Sequence, residues 1–295
     1  MILDGKATAD KICNNLKKQV DELMADGVYP KLRIITTGDN DASKVYVRNK
    51  VKRCEEIGIE PIVKHFDFIT KNDVKDLLTD NIPTIFQSPM TGSVSFDEIG
   101  AMMNPFIDVD GFVATENVAR LASGKDPIMG PCTPAGIMRL LHEYNINVSG
   151  LAVTIIGRSN IVGRPLARMM EHEGATVTLC HSKTDESHLY PNVLLSDIVV
   201  SATGSRGILT YDKLVETSEK DTSLCDCLIG RIVFIDVGMN RNEDGKLCGD
   251  IDQAILDRSF GYTPVPGGVG QMTVAMLMEN TVKYYSEGLY SEKSI

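Results

Sequence analysis

Two short stretches hold residues whose types and spacing suit chemistry. In "YVRNK", Tyr46 and Lys50 stand four residues apart, and Ser43 precedes Tyr46 by three. At helical spacing all three, a hydroxyl, an aromatic ring and an amine, fall on one face. The amine is a candidate proton carrier. The same pattern also fits a solvated basic face with one half-buried tyrosine, since Lys44, Arg48, Lys50, Lys52 and Arg53 share the segment. The second stretch, "LAVTIIGRSNIVGRPLARMMEHEGATVTLCHSKT", Leu151 to Thr184, reads as strand, tight loop, helix, strand. Gly157 and Gly163 permit close turns, Arg158 and Ser159 lie between them, and Pro165 suits a first helical turn. A helix N-terminus behind a strand end offers backbone N–H groups and partial positive charge, which together make an anion site. The usual G-x-G-x-x-G spelling is absent, so an ordinary strand-to-helix turn is the competing reading.

The end of the following strand bears on which anion. About twenty residues after the loop, NAD sites place an Asp or Glu on the ribose 2′-hydroxyl. This chain reads Cys180-His181-Ser182-Lys183 there. With Arg158 in the loop, the corner is basic and rich in hydrogen-bond donors, which favours the 2′-phosphate of NADP. Arg158 could instead cap a strand end, and Lys183 could be a solvated charge. Three further places carry polar groups in turns or at strand ends. They are Gln87 after "PTIF", Asp108 and Asp110 in "DVDG", and the glycines of "TPVPGGVGQMT". The aspartates could be turn formers and the glycines a matter of backbone shape.

The elements that must position these residues alternate. "DGKATADKICNNLKKQVDELMADG" predicts an amphipathic helix closed by Gly27, and "KLRIITTG" a buried strand. "NDASKVYVRNKVKRCEEIG" predicts a second helix, capped by Asn40 or Asp41 and ended by Gly58. "IEPIVKHFDF" and "PTIFQSP" read as strands, with "KNDVKDLLTDN" helical between them. This is βαβ construction around a parallel sheet. "ASGKDPIMGPCTP" reads as a linker. Beyond it "LAVTIIG", "ATVTLC", "DIVVSATG" and "RIVFIDVG" make a second, doubly wound unit. "VETSEKDTSLCDCLIG" reads as a polar surface loop. "QMTVAMLMENTVKYYSEGLY" is a helix too apolar to lie alone, so it packs back on a domain.

A length of 295 residues suits about two domains, and 43% hydrophobic with 24% charged residues is ordinary for a globular protein. A net charge of −10 disfavours nucleic acid and anionic membrane as partners. The N-terminus lacks the apolar core of a signal peptide, and no apolar run approaches the ~20 residues of a membrane span. The seven cysteines show no C-x-x-C pair and the five histidines no ligand spacing, so the reading is a reducing, cytoplasmic setting and no metal. Cys225 and Cys227 read as free thiols in a loop, a redox pair being the alternative.

Taken in order, "ASKVYVRNK", Gln-Ser-Pro after a strand, "DVDGF", "PCTPAG", "GRSNIVGRP", "CHSKT" and "TPVPGGVGQMTVAML" resemble the bifunctional methylenetetrahydrofolate dehydrogenase/cyclohydrolase family over nearly the whole chain. The resemblance implies an α/β fold of two domains: a folate-binding catalytic domain at 1–122 and an NADP-binding, Rossmann-like, doubly wound domain at 123–269. The terminal helix, within 270–295, returns to the first domain. It implies that Lys50 is the catalytic lysine, that Tyr46 lies against the folate and that Gln87 is the lysine's hydrogen-bond partner. Asp110 would grip the pterin's amino-pyrimidine edge, with Ser43 lining the same pocket. Gly270 and Thr273 would lie close to substrate and nicotinamide. Gly157, Arg158, Ser159, Gly163 and Ser182 would hold NADP. Tetrahydrofolate derivatives are the implied ligands and a homodimer the implied assembly.

The chain departs from the family pattern at Ser88, where Leu is usual, at Ile107, where a basic residue is usual, and at Gln271, often Pro. All three are expected near the substrate, where they would retune preference. Two other functions use the same layout. One is an NAD(P)-dependent dehydrogenase for another small substrate, which has no need of Tyr46, Gln87 and Asp110 together. The other is a nucleotide-sensing module that binds without turnover.

Overall fold

The structure, a computed structural model, describes residues 1–289. Tyr290 to Ile295, the end of the expected terminal region, lie outside them. The chain divides into two compact units. One holds Ala9–Cys132 and the chain from Val274 onward; the other holds Met1–Thr8 and Thr133–Thr273.

In the N-terminal unit, α1 (Gly5–Ala25) leads into β1 (Lys31–Thr37), α2 (Asp41–Ile57), β2 (Glu60–Phe66), α3 (Lys71–Leu77) and β3 (Thr84–Phe86). Two short helices follow, α4 (Phe96–Met102) and α5 (Thr115–Ala122). The three strands form a parallel sheet in the order β2-β1-β3. The middle strand carries the apolar run "LRII", and Leu32, Ile34 and Ile35 are buried. Asn40 is the cap of α2, its side chain accepting the Ser43 N–H at 3.0 Å, and Gly58 ends the helix in the left-handed conformation. These two caps set where the helix begins and stops, and hence which face Ser43, Tyr46 and Lys50 share.

The segment read as a linker is packed into this unit. Met129 is fully buried, and the Asn117 side-chain oxygen accepts the N–H groups of Ile128 and Met129 at 3.0 and 3.3 Å. Pro and Gly here shape a turn-rich segment whose backbone groups a buried amide satisfies, so composition alone misleads.

The second unit contains α6 (Cys132–Glu143), β4 (Ala152–Ile156), α7 (Gly163–His172), β5 (Thr176–Cys180), α8 (Glu186–Leu194) and β6 (Ile198–Ser201). It continues through α9 (Tyr211–Thr217), α10 (Thr222–Ile229), β7 (Val233–Asp236), the small hairpin β8 (Asn240–Arg241) and β9 (Leu247–Cys248), α11 (Gln253–Leu256) and β10 (Gly261–Tyr262). The main sheet is parallel in the order β10-β7-β6-β4-β5, a doubly wound arrangement. The N-terminal residues join its edge: Leu3 donates to the Tyr262 carbonyl at 2.8 Å and its side chain is fully buried. Gly5 sits so close to the Gly268 backbone that a Cβ would lie 2.2 Å from that carbonyl oxygen.

The segment expected as a polar loop, Val215–Gly230, is instead the end of α9 and all of α10. Asp221 caps α10 through the Leu224 N–H at 3.0 Å, and Cys225 and Ile229, one turn apart, are buried in the core. Their apolar stripe was masked by the charged residues between α9 and α10. Cys225 and Cys227 are thus helical, the first buried and the second exposed.

The last helix, α12 (Val269–Ser286), begins in the second unit and belongs from Val274 onward to the first. There Met278 meets Cys54 at 3.6 Å, and Tyr284 and Tyr285 donate to the Asn81 and Lys31 carbonyls. Burial of Met276, Leu277, Met278 and Val282 explains the apolar composition. Among the described residues no helix is long and apolar enough to cross a membrane.

Candidate active site

Lys50 Nζ donates to Gln87 Oε1 at 2.9 Å, joining a partly buried face of α2 to the end of β3. Gln87 Nε2 donates in turn to the Ser88 carbonyl at 2.9 Å, which turns the amide so that its oxygen faces the amine. Ser43 Oγ donates to the same carbonyl at 3.3 Å. One strand end thereby ties down two of the three residues on the helix face. Tyr46, between them, is half-buried, as is Lys50. A neutral amide orients the lysine without placing a further charge beside it.

The two aspartates of "DVDG" do different things. Asp108 is fully buried and accepts the N–H groups of Gly111, Val113 and Ala114 at 3.0, 3.0 and 2.7 Å, and the Asn117 amide at 3.3 Å. It is the turn former. Asp110 accepts no backbone N–H in that turn. Burial pushes its carboxyl above the usual range, while the Lys50 ammonium and the Cys132 thiol draw it back down. Cys132 is fully buried, and burial pushes its thiol well above the ordinary range, so it stays protonated, and it donates to the Val109 carbonyl at 3.2 Å. The site thus has an oriented amine, an aromatic ring, a hydroxyl and a carboxyl group whose burial the charge of the amine partly offsets. That set suits a flat, nitrogen-rich ligand with a proton to move.

Gly270 and Thr273 belong to the other unit, in the first turns of α12. Nothing lies within 4 Å of where a Gly270 Cβ would be, so its lack of a side chain keeps space open. Gly268, by contrast, is needed for packing, its Cβ position lying 2.6 Å from the Pro264 carbonyl oxygen. Thr273 Oγ1 lies 3.0 Å from Thr133 Oγ1 and donates to the Val269 carbonyl at 3.2 Å.

In the second unit, a further candidate site lies at the C-terminal ends of β4, β5 and β6. A cleft of about 460 Å³ is lined there by Gly157, Arg158, Ser159, His181, Ser182 and Thr203, among others. Gly157 has φ +121°, and a Cβ on it would lie 2.4 Å from the Ala202 carbonyl oxygen. A Cβ on Gly163 would lie 1.8 Å from the Gly157 carbonyl oxygen, so the loop closes only with glycine at both positions. Ser159 Oγ accepts the Val162 N–H at 3.1 Å and shapes the turn, while no side chain caps the start of α7. Gly163 lies behind the loop, at that helix start, and is buried. Past β5, Thr184 Oγ1 accepts the His181 N–H at 2.9 Å, holding the corner that exposes Ser182. Glu186 also lines the cleft, but Lys213 pairs with it at 3.2 Å. Sites that hold a dinucleotide need close backbone approach and an uncapped helix start, and these residues meet both needs.

Two residues that sequence reading missed build this corner. Asp250, fully buried, accepts from Ser201 Oγ, Thr203 N and Thr203 Oγ1 at 2.9 Å each. Asp236, also buried, accepts the N–H groups of Gly238, Asp250 and Ile251 at 2.9, 3.0 and 3.0 Å. The apolar runs within "DIVVSATG" and "RIVFIDVG" signal strands β6 and β7, but that Asp236 and Asp250 organise their ends follows only once the chain is folded.

Residues 3–110 match the family model for the tetrahydrofolate dehydrogenase/cyclohydrolase catalytic domain, and residues 131–288 that for its NAD(P)-binding domain. The chain belongs to the tetrahydrofolate dehydrogenase/cyclohydrolase family. The bifunctional protein FolD of a Sulfurihydrogenibium species is 40% identical, over 98% of this chain and 99% of its own. The crystal structure of the bifunctional FolD methylenetetrahydrofolate dehydrogenase/cyclohydrolase from Campylobacter jejuni superposes with a TM-score of 0.87 at 39% identity, covering 98% and 99% of the two chains. The enzyme from Trypanosoma brucei, solved with NADP cofactor and an inhibitor, gives 0.85 at 28% identity over 98% of each chain.

Of the three departures from the family pattern, Ile107 is 1% exposed and packs in the core of the N-terminal unit. It offers no side chain to a ligand, contrary to the expectation of a residue beside the substrate. Ser88 is exposed and contributes its backbone carbonyl to the Lys50–Gln87–Ser43 arrangement, so its side chain is free to differ. Gln271 is half-buried in the first turn of α12, where its N–H bonds Gly268 at 3.1 Å.

Proposed function

We propose that Lys50, Gln87, Tyr46, Ser43 and Asp110 carry out the two folate reactions of this family, with Gly270 and Thr273 as further substrate contacts and Gly157, Arg158, Ser159, Gly163 and Ser182 holding the cofactor. The enzyme oxidises 5,10-methylenetetrahydrofolate to the 5,10-methenyl form with NADP and hydrolyses that product to 10-formyltetrahydrofolate. The observation that carries the residue assignment is the 2.9 Å contact between Lys50 Nζ and Gln87 Oε1.

In the first step the methylene carbon between two nitrogens loses hydride, and their lone pairs stabilise the cation left behind. NADP, when bound, supplies the hydride acceptor. The protein's part in this step is to hold the folate in position, a task for Tyr46 against the ring and Asp110 on its amino-pyrimidine edge. In the second step water adds to the methenyl carbon and a C–N bond of the ring opens. Protons leave the water and reach the departing nitrogen, so an acid–base group is required. Lys50 is that group, and Gln87 aims it. At the other end, Arg158 and Ser182 take the 2′-phosphate, and backbone N–H groups at the start of α7 take the pyrophosphate.

A cytoplasmic homodimer is the compartment and assembly we propose. All seven cysteines are unpaired, which suits a reducing compartment. The test of the function is a spectrophotometric assay of the purified protein. Methylenetetrahydrofolate with NADP should yield NADPH, and methenyltetrahydrofolate alone should be hydrolysed above the uncatalysed rate. Nucleotide binding with no turnover of either folate would overturn the proposal in favour of a sensing module.

A further inference from the structure

Asp110 projects from a backbone that is fastened on every side. Asp108 holds the Gly111 N–H after it at 3.0 Å. The Asp110 carbonyl accepts the Cys132 N–H at 3.1 Å. The Val109 carbonyl before it accepts Asn280 Nδ2 at 2.9 Å, and the second hydrogen of that same amide goes to the Gly130 carbonyl, also at 2.9 Å. Asn280 Nδ2 further lies 3.6 Å from Cys132 Sγ, the thiol that faces both Asp110 and the Val109 carbonyl. The fit is tight: a Cβ on Gly111, which has φ +76°, would lie 2.3 Å from the Gly130 carbonyl oxygen. Two backbone segments are therefore pressed together beside Asp110, and both carbonyls at the seam point at one side-chain amide.

We infer that Asn280 is a positioning residue: from α12 it clamps the 109–111 and 130–132 segments together and thereby sets the direction of the Asp110 carboxylate toward the folate. The inference rests on the reading of Asp110 as the folate ligand. An amide is the only uncharged side chain of this size with two N–H donors on one nitrogen. An aspartate of the same shape would turn an oxygen toward two carbonyl oxygens, and an alanine would leave both without this donor. A second tie from α12, Lys283 Nζ to the Ile128 carbonyl at 3.0 Å, reaches the same segment farther from Asp110 and serves as an internal control.

The experiment uses the full-length enzyme in five forms: wild type, Asn280→Asp, Asn280→Ala, Asp110→Asn and Lys283→Met. KM for methylenetetrahydrofolate, Kd for NADP and Tm are measured for each. Both Asn280 variants should raise the folate KM by about tenfold or more, a change of one decade in binding, with Kd for NADP within about twofold of wild type. Lys283→Met should move the folate KM by less than about threefold. Adding Asn280→Ala to Asp110→Asn should raise KM little further, because a clamp has nothing left to aim once its carboxylate is gone. If Asn280→Asp does not fold, Asn280→Ala carries the test.

An unchanged folate KM in Asn280→Ala, beside a raised one in Asp110→Asn, overturns this inference alone. An equal rise in Lys283→Met, or effects of Asn280 and Asp110 that simply add, would show general docking of α12 and overturn it as well. A normal folate KM in Asp110→Asn overturns the reading of Asp110 and this inference together.

Discussion

Lys50 and Gln87 meet at 2.9 Å although 37 residues separate them in the chain. The contact gives an amine on a helix a fixed direction, set by a strand end. Lys50→Met keeps the aliphatic stem and removes the proton carrier. Cyclohydrolase activity should fall to the uncatalysed rate, while hydride transfer, which asks no proton of the lysine, should be reduced far less. Gln87→Ala should lower cyclohydrolase kcat by about ten- to a hundredfold, since the amine then loses its orientation. Stopped-flow decay of methenyltetrahydrofolate measures both, and full hydrolysis by Lys50→Met would sink the assignment.

Cofactor choice should reside in Arg158 and Ser182. Only NADP carries the 2′-phosphate, so their loss should be felt by NADP alone. Charge-assisted hydrogen bonds of about 1.5–3 kcal/mol correspond to roughly ten- to over a hundredfold in affinity. Arg158→Ala should raise KM for NADP by such a factor and leave KM for NAD within about threefold. Steady-state kinetics with both cofactors decide it, and equal losses for the two would move Arg158 to a pyrophosphate or structural role.

Gly163→Ala tests the loop itself. The added methyl would start 1.8 Å from the Gly157 carbonyl oxygen and 2.7 Å from its carbon, both backbone atoms that cannot swing aside. The loop must open. Kd for NADP should rise by more than about tenfold and Tm should drop by several degrees, the usual signature of overpacking by about 1–3 kcal/mol. Folate binding, tested by equilibrium titration without cofactor, should be retained. Unaltered NADP binding would mean that the anion is held elsewhere.

Asp108 carries a pH dependence of definite sign. Burial pushes it up to about 6, whereas an unfolded chain titrates near about 3.9. Between those values the folded protein keeps a proton that the unfolded chain has released. Its contribution to stability is therefore complete only below about pH 4, declines as pH rises through the window from about 4 to about 6, and is level beyond. Asp108→Asn abolishes the titration. Urea midpoints of both proteins across pH 4–8 should show the stability gap between them narrowing with rising pH. A widening gap would mean that the four donors around the carboxylate outweigh its burial.

Periodicity and local chemistry made much of this protein legible in its sequence. The helix face of Ser43, Tyr46 and Lys50 follows from a 3.6-residue repeat between Asn40 and Gly58, and both caps stand where the sequence puts them. The tight loop between β4 and α7 follows from a strand, two glycines and a helix close together, and the absence of a carboxylate directly after "ATVTLC" is likewise a local fact. The parallel sheets follow from alternating elements.

What only the tertiary structure decided are the partners of polar groups. Asp108 and Asp110 are the same residue type two positions apart. One is a turn former because three backbone N–H groups converge on it, and the other takes none of those three. Asp250 organises a loop 46 residues earlier, and Asn280 reaches a carbonyl 171 residues away. Charged residues also hid the buried stripe of α10, and a Pro- and Gly-rich run hid the packed segment around Met129. The physical reason is common to all of these. Hydrophobic patterning is written along the chain because each element buries one face, whereas a hydrogen bond is satisfied by whichever group folding brings within about 3 Å, and sequence distance places no limit on that.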